Sequence, residues 1–179
     1  MDRTLILTAI GSDRPGLTSA LAVAVHEAGG NWLESHLSRM AGKYVGSILI
    51  QVAGDDVERL EAAIRKIDPV GLTVSIADAG EPIQPSGQAL RLSLVGQDHP
   101  GIVREVTTAL ADLGVNIEAF ETSVEPMAQS GAPLFRAQAE LIAPPTLDAR
   151  EVAAALERLS AEIMVDITLE ERRSQEPAR

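Results

Sequence analysis

The sequence contains no cysteine, which excludes disulfide cross-links and thiolate metal sites. Aromatic residues make up only 2% of the chain, so a core would be built mainly from aliphatic side chains. No apolar run approaches the length of a membrane span, and the short apolar stretch after Asp2 and Arg3 is interrupted by threonine. We therefore expect no signal peptide, no membrane anchor and a cytoplasmic location.

A basic surface is also missing. The formal net charge is −11 at pH 7, and both halves of the chain are acidic. A protein that held nucleic acid by its phosphates would need a cationic face. We therefore expect no direct binding to nucleic acid.

What the sequence does contain is a repeated motif. The motif and its copy, 85 positions later, are Asp13-Arg14-Pro15-Gly16-Leu17 and Asp98-His99-Pro100-Gly101-Ile102. Each motif is followed by a second glycine (Gly29 or Gly114), and two residues further on by an asparagine (Asn31 or Asn116). This shared register indicates two copies of one structural unit.

Hydrophobic periodicity predicts a strand before each motif and a helix after it. The alternating apolar residues are Leu5, Leu7, Ala9, Leu90, Leu92 and Leu94. The residues at helical spacing are Leu17, Leu21, Val25, Ala28, Ile102, Val106, Leu110 and Leu113. We expect the aspartate of each motif to cap the helix, its proline to occupy the first helical position, and Gly29 or Gly114 to end the helix.

The remainder of each copy predicts a hairpin, a helix and a last strand. In the first copy, the expected hairpin strands are Asn31 to Met40 and Lys43 to Ala53, joined at Ala41-Gly42. In the second copy, they are Asn116 to Val124 and Leu134 to Ile142, with a longer loop from Pro126 to Pro133. Asp55 with Glu58, and Asp148 with Glu151, predict capping boxes that open the second helices. The last strands carry Leu72, Val74 and Ile76, then Val165, Ile167 and Leu169.

These elements predict an α+β protein made of two tandem ferredoxin-like βαββαβ domains. Each would have an antiparallel four-stranded sheet with two helices on one face. We expect domains at residues 1–79 and 88–169, separated by a Gly- and Pro-rich linker at 80–87. Residues 170–179 form a charged tail that we expect to fray.

The strand, the Asp-x-Pro-Gly turn, the helix ending in glycine and the asparagine opening the next strand resemble an ACT domain, a regulatory module that binds amino acids. Two such domains in tandem, over residues 3–169, resemble the glycine cleavage system transcriptional repressor family. Pro133-Leu134-Phe135 and Pro144-Pro145 strengthen this narrower resemblance. It implies a non-enzymatic regulatory protein without a cofactor, which senses a small amino acid such as glycine or serine and acts on transcription or metabolism through a protein partner.

The resemblance also implies a ligand site at the first turn, usually shared between adjacent ACT domains. The candidate ligand-binding residues are Asp13, Pro15, Gly16, Leu17, Asn31, Asp98, His99, Pro100, Gly101, Ile102 and Asn116. The chemistry agrees, because free N–H groups at a helix start favour a carboxylate and an aspartate can pair with an ammonium group. His99 adds a polar group to the second copy, where the first has Arg14.

Other interpretations remain open. The Asp-x-Pro-Gly turn would also be explained by helix capping alone, with the asparagines only turning the chain. The same fold would also suit an interaction module that binds no ligand. His26, His36 and His99 lack the spacing of a metal site, and no nucleophile with a neighbouring base indicates an enzyme.

Apolar residues on a second face of the first sheet predict a homodimer. Ile6 and Ile10 lie on the face opposite Leu5 and Leu7. We expect a nearby strand to be apolar on both faces as well, through Ile48, Ile50 and Val52. Because a two-sided apolar strand is usually covered on both sides, part of the first sheet would be buried between two copies of the chain.

Overall fold

Strand-helix-strand-strand-helix-strand order occurs twice along the chain. The computed structural model describes residues 1–68, 71–80, 86–127 and 131–171, without the side chains of 161–163. The chain divides into two units, Met1–Ile83 and Gln84–Arg179, which we call unit one and unit two. The predicted α+β class and the tandem ferredoxin-like fold are confirmed.

Unit one contains four strands, two helices and one 3-10 turn. Its elements are β1 (Asp2–Ser12), α1 (Leu17–Glu27), β2 (Asn31–Met40), β3 (Lys43–Ala53), the 3-10 turn (Gly54–Asp56), α2 (Val57–Ile64) and β4 (Leu72–Asp78). The sheet, which we call sheet one, has the strand order β2-β3-β1-β4, and its neighbouring strands are antiparallel.

Unit two repeats this arrangement with a longer second helix. Its elements are β5 (Gln88–Gln97), α3 (Ile102–Asp112), β6 (Asn116–Pro126), β7 (Pro133–Ala143), α4 (Ala149–Ile163) and β8 (Val165–Glu171). The order of its sheet, which we call sheet two, is β6-β7-β5-β8, again antiparallel throughout.

Each unit has its own core between one sheet face and its helices. In unit one, Leu5 and Leu7 of β1 are buried against Leu21 of α1 and Leu60 of α2. In unit two, the equivalent layer is made by buried residues of β5, β7, α3 and α4: Leu92, Leu141, Leu110 and Leu156. The predicted strand and helix stripes therefore form these two cores, and the opposite face of each sheet carries no helix of its own unit.

Glycine ends the first helix of each unit as predicted. Gly29 has φ +73°, and the N–H groups of Gly29 and Gly30 donate to the carbonyl oxygens of His26 and Val25. This pairing is a Schellman motif, and Gly114 and Val115 repeat it at the end of α3. The predicted hairpin turn is also confirmed, since Ala41 and Gly42 both have positive φ, as a type I′ turn requires.

The predicted starts of α1 and α3 differ from the structure. The N-caps of α1 and α3 are Gly16 and Gly101 in the left-handed conformation, with no side-chain hydrogen bond at either cap. The motif aspartates lie three residues before these caps, so they are too early in the chain to cap the helices. The prolines likewise precede the helices instead of occupying their first position.

The second helices give one confirmed and one wrong prediction. Asp148 and Glu151 form the predicted capping box at the start of α4. Asp55 does not cap α2, because a 3-10 turn precedes that helix and makes Asp56 its N-cap, again without a side-chain hydrogen bond.

The prediction that Ile48, Ile50 and Val52 spread over both faces of their strand is wrong. All three lie two residues apart on one face of β3 and are buried against the helices. The apolar residues on the other face of β3 are Val45 and Leu49.

The predicted linker and tail fall largely outside the described residues. β4 ends at Asp78 and β5 begins at Gln88, and residues 81–85 between them are not described. Of the tail predicted from residue 170, the described part belongs to β8, which continues to Glu171. The exact domain boundaries remain predictions.

Candidate functional site

The first turn of unit one is closed by ion pairs among its own residues. The Asp13 carboxylate lies 3.2 Å from the Arg39 guanidinium, which belongs to β2. The Asp13 backbone N–H also donates to the Gly42 carbonyl oxygen at 3.3 Å, which holds the turn against the β2–β3 hairpin. The carboxylate that was expected to pair with a ligand ammonium is therefore already paired.

Arg14 ties the same turn to the segment after α2. Its guanidinium lies 3.0 Å from the Asp68 carboxylate and donates to the Ile67 carbonyl oxygen at 3.4 Å. Asp68 in turn accepts the Gly71 backbone N–H at 2.8 Å. Both charged side chains of the first motif thus have partners within unit one.

The first turn of unit two has the same backbone and different chemistry. The Asp98 N–H donates to the Pro133 carbonyl oxygen at 3.0 Å. The half-buried Asp98 carboxylate makes no hydrogen bond or ion pair with the described residues. Gly101 has φ +104°, close to the +93° of Gly16, so the two turns share one backbone path.

His99 presents an unused acceptor at this turn. Its Nδ1 lies 3.4 Å from the Pro100 carbonyl oxygen. In a neutral ring, a proton on Nδ1 satisfies this contact, since a carbonyl oxygen only accepts, and Nε2 is then an acceptor. Nε2 is buried and has no hydrogen-bond partner among the described residues.

Glu105 is a further candidate residue at this turn, and the motif pattern did not indicate it. Its Oε2 is the second buried side-chain atom that lacks a partner in the described part of the chain. Its Oε1 lies 3.8 Å from the Arg104 guanidinium and would lie 3.4 Å from a Cβ added at Gly101. The equivalent residue of unit one is Ala20, and this change from alanine to glutamate one turn into the helix was the available signal.

The remaining motif residues offer a ligand backbone groups and no polar side chain. Leu17 and Ile102 are core residues, each 3% exposed, so their side chains cannot contact a ligand. Pro15 and Pro100 are exposed and shape the turn before each glycine. The Ile102 N–H donates to the His99 carbonyl oxygen at 3.4 Å, whereas the next N–H groups of α3 have no helical acceptor.

The structure does not bring the asparagines to the turn of their own unit. Asn31 pairs with Gln51, which pairs with Thr4, whereas the turn follows Ser12 at the other end of β1. Thr4 and Ser12 are eight residues apart along β1, so Asn31 lies roughly 26 Å from the turn. Asn116 lies equally far from the second turn, level with Ala89, and its amide donates to the Glu118 carboxylate.

The histidines do not assemble a metal site. No group of three or more histidine and carboxylate residues within 1–68, 71–80, 86–127 and 131–171 has an arrangement that could hold a metal ion. His36 instead lies 3.0 Å from the Glu34 carboxylate on β2. Within the same ranges, no helix is both long and apolar enough to cross a membrane.

Comparison with known families assigns both units. ACT-domain models match residues 3–77 and residues 90–126, which together make up well over half of the chain. The chain is a tandem ACT-domain protein. The second match covers β5, α3 and β6, and the ACT topology of unit two continues through β8.

Two solved structures share the fold over nearly the whole chain. An unknown protein from Galdieria sulphuraria is 29% identical, with a TM-score of 0.85 over 97% of this chain and 100% of that one. A putative glycine cleavage system transcriptional repressor is 15% identical, with a TM-score of 0.73 over 97% of this chain and 99% of that one. No curated protein sequence matches this chain.

Proposed function

We propose that this tandem ACT-domain protein is a non-enzymatic regulator that senses a small amino acid at the first turn of unit two. The observation that carries the proposal is the set of unpartnered acceptors at that turn: the Asp98 carboxylate, His99 Nε2 and Glu105 Oε2. Buried polar atoms without partners are rare in proteins, and they suit a group that arrives with its own donors.

An α-ammonium group has the required donors. It carries a positive charge and three N–H bonds, which match in number the acceptors of Asp98, His99 and Glu105. A hydrogen bond to a charged group contributes about 1.5–3 kcal/mol, which is enough for selective recognition. The ligand carboxylate would meet the free N–H groups at the start of α3, where the helix dipole favours an anion.

The absence of a side chain at Gly101 lets a ligand lie against the backbone of the turn. A Cβ at this position would lie 3.4 Å from Glu105 Oε1, so a ligand there lies beside this carboxylate. Glycine and serine, the small amino acids that the family resemblance implies, are the first to test.

Regulation would pass through a protein partner. The net charge of −11 gives the chain no general attraction for the phosphates of nucleic acid. An effect on transcription, as in the glycine cleavage repressor that shares the fold, would therefore need a second protein that contacts DNA. An effect on metabolism would need an enzyme as the partner.

Helix capping alone is a weaker explanation of the motif. Neither motif aspartate bonds to the helix that follows it, so the cap does not account for Asp98. An interaction module without a ligand would keep the fold and leave the three acceptors of unit two unused.

A thermal-shift screen of the twenty amino acids tests the proposal. A ligand that binds only the folded state raises Tm as its concentration passes its Kd. We expect at least one small amino acid to raise Tm in the wild type and to lose most of this effect in Glu105→Gln. If no amino acid raises Tm at millimolar concentration, the sensing function is wrong and the interaction module replaces it.

A further inference from the structure

Sheet one has an uncovered face with an apolar centre. On the side away from α1 and α2, Ile6 of β1 pairs with Leu49 of β3, and Ile10 pairs with Val45. Ile10 is 55% exposed, and the other three side chains are half-buried. We call this surface the open face of sheet one.

The neighbouring positions on β1, β3 and β4 are small and uncharged. Between the two apolar pairs lie Thr8, Ser47 and Ser75, and Ala77 flanks Ile6 on β4. The charged residues of the open face lie at its margins: Asp2 and Lys43 at the strand ends, and Glu34 with His36 on the edge strand β2.

Sheet two carries charged side chains at three of these four positions, and the fourth, at the place of Ile10, is Val95. Arg91 and Glu140 occupy the places of Ile6 and Leu49, and their charged groups lie 3.5 Å apart. Arg136 replaces Val45 and lies 3.9 Å from the carboxylate of Glu125 on the edge strand. The ACT fold therefore does not need apolar residues at these three positions.

We infer that the open face of sheet one binds the same face of a second copy of this chain. Each copy carries a net charge of −11, so most pairs of surfaces would repel one another. Two open faces instead meet through apolar centres, where burial of apolar area is favourable. The charged side chain nearest to the centre, Glu34, lies 3.0 Å from His36 on the edge strand. A face that contacts itself also forms a closed twofold dimer.

The area of the face is sufficient for such a dimer. Four strands about 4.8 Å apart and about ten residues long give a footprint of roughly 600 Å² on each copy. The total of roughly 1,200 Å² lies at the lower end of the range for specific interfaces. Stacked sheets of two copies would lie about 10 Å apart.

The face also has a projection and a depression that can fit each other. The depression is lined by Ile6, Leu49, Glu34 and His36, and the projecting Ile10 lies four residues from Ile6 along β1. A twofold axis through Thr8, midway between them, would place Ile10 of each copy over the depression of the other. The same contact is then made twice, once by Ile10 of each copy, as a twofold interface between identical surfaces requires.

Sedimentation velocity on the full chain tests this interface. We expect the wild type to sediment at twice its chain mass of 18.9 kDa at low micromolar concentration. The double variant Ile6→Arg with Leu49→Glu transfers the ion pair of sheet two to sheet one. It should keep the wild-type circular dichroism spectrum and weaken the dimer at least about 100-fold.

Val23→Arg is the matched control, because Val23 is 50% exposed on α1, on the opposite side of the sheet. It should leave the dimer intact. If the double variant fails to fold, Ile10→Arg replaces it, since Ile10 is exposed and its substitution leaves the core unchanged. A monomeric wild type at 100 µM, a dimer that survives the folded variant, or loss of the dimer in Val23→Arg would each overturn the inference.

Discussion

The Arg39 guanidinium lies 3.2 Å from the Asp13 carboxylate, and no described residue gives Asp98 an equivalent partner. The two aspartates occupy the same place in two copies of one motif. The first therefore belongs to an internal ion pair, whereas the second is available to a ligand. We therefore expect an amino acid to bind at the turn of unit two and not at the turn of unit one.

Asp98→Ala should lower the affinity for an amino acid at least about tenfold, because it removes a charged acceptor for the ammonium group. Asp13→Ala is the control at the equivalent position, and it should leave affinity unchanged. Calorimetric titration of both variants measures this. Equal losses in both would contradict the assignment of the site to unit two.

Glu105→Gln should also lower the affinity about tenfold while leaving Tm close to that of the wild type. The substitution keeps the size of the side chain and removes its charge, and the Glu105 side chain is 30% exposed. Glu157→Gln, an exposed change on α4, provides the control. A loss of affinity in both variants would point to overall charge instead of a local contact.

Gly101→Ala and Gly16→Ala should destabilise the protein by similar amounts, about 1–2 kcal/mol, because both glycines have a left-handed backbone that alanine disfavours. A valine would add further strain, so alanine is the better probe. Only Gly101→Ala should weaken ligand binding, through the Cβ placed beside Glu105. Urea unfolding measures the loss of stability, and calorimetry measures the loss of affinity. An unchanged affinity in Gly101→Ala would show that the ligand does not contact the backbone at Gly101.

Much of the fold follows from local sequence patterns. Strand alternation around Leu5 and helical spacing after Leu17 each depend on neighbouring residues, so the element order was predictable. The cap at Gly16 was not, because the aspartate, proline and glycine of the motif each suit a helix start. The 3-10 turn that displaced the predicted cap at Asp55 has no comparable sequence signal.

The site was less predictable because it depends on tertiary contacts. Arg39 comes 26 positions after Asp13, and only the pairing of β2 with β3 brings it to the turn. Glu105 is a candidate because packing leaves its Oε2 buried with no partner in the described part of the chain. Spacing along the chain also did not reveal that Asn31 opens its strand at the far end of the sheet from Asp13.

Asn116→Ala should leave amino-acid binding unchanged, because Asn116 lies roughly 26 Å from the turn of its own unit, which holds the proposed site. Asp98→Ala is the matched comparison, since it changes a residue of the turn itself. Calorimetric titration measures both variants. A loss of affinity in Asn116→Ala would contradict the placement of the whole site at the turn of unit two.

Asp148→Ala should destabilise unit two by about 1 kcal/mol, because it removes the capping box of α4. Asp55 forms no capping box at α2, so Asp55→Ala should change the free energy of unfolding by less than about 0.5 kcal/mol, as is usual for a surface substitution. Urea denaturation followed by circular dichroism compares them. Equal losses would show that Asp55 stabilises the structure in another way.

The stoichiometry of amino-acid binding tests the central claim most directly. Isothermal titration of the wild-type chain with the amino acid that raises Tm should give one ligand per chain. Asp13 and Arg14 are held in ion pairs, whereas the turn of unit two has acceptors without a partner among the described residues. The double variant Asp98→Ala with Glu105→Gln should show no saturable heat. Two ligands per chain, or undiminished binding by the double variant, would contradict the account.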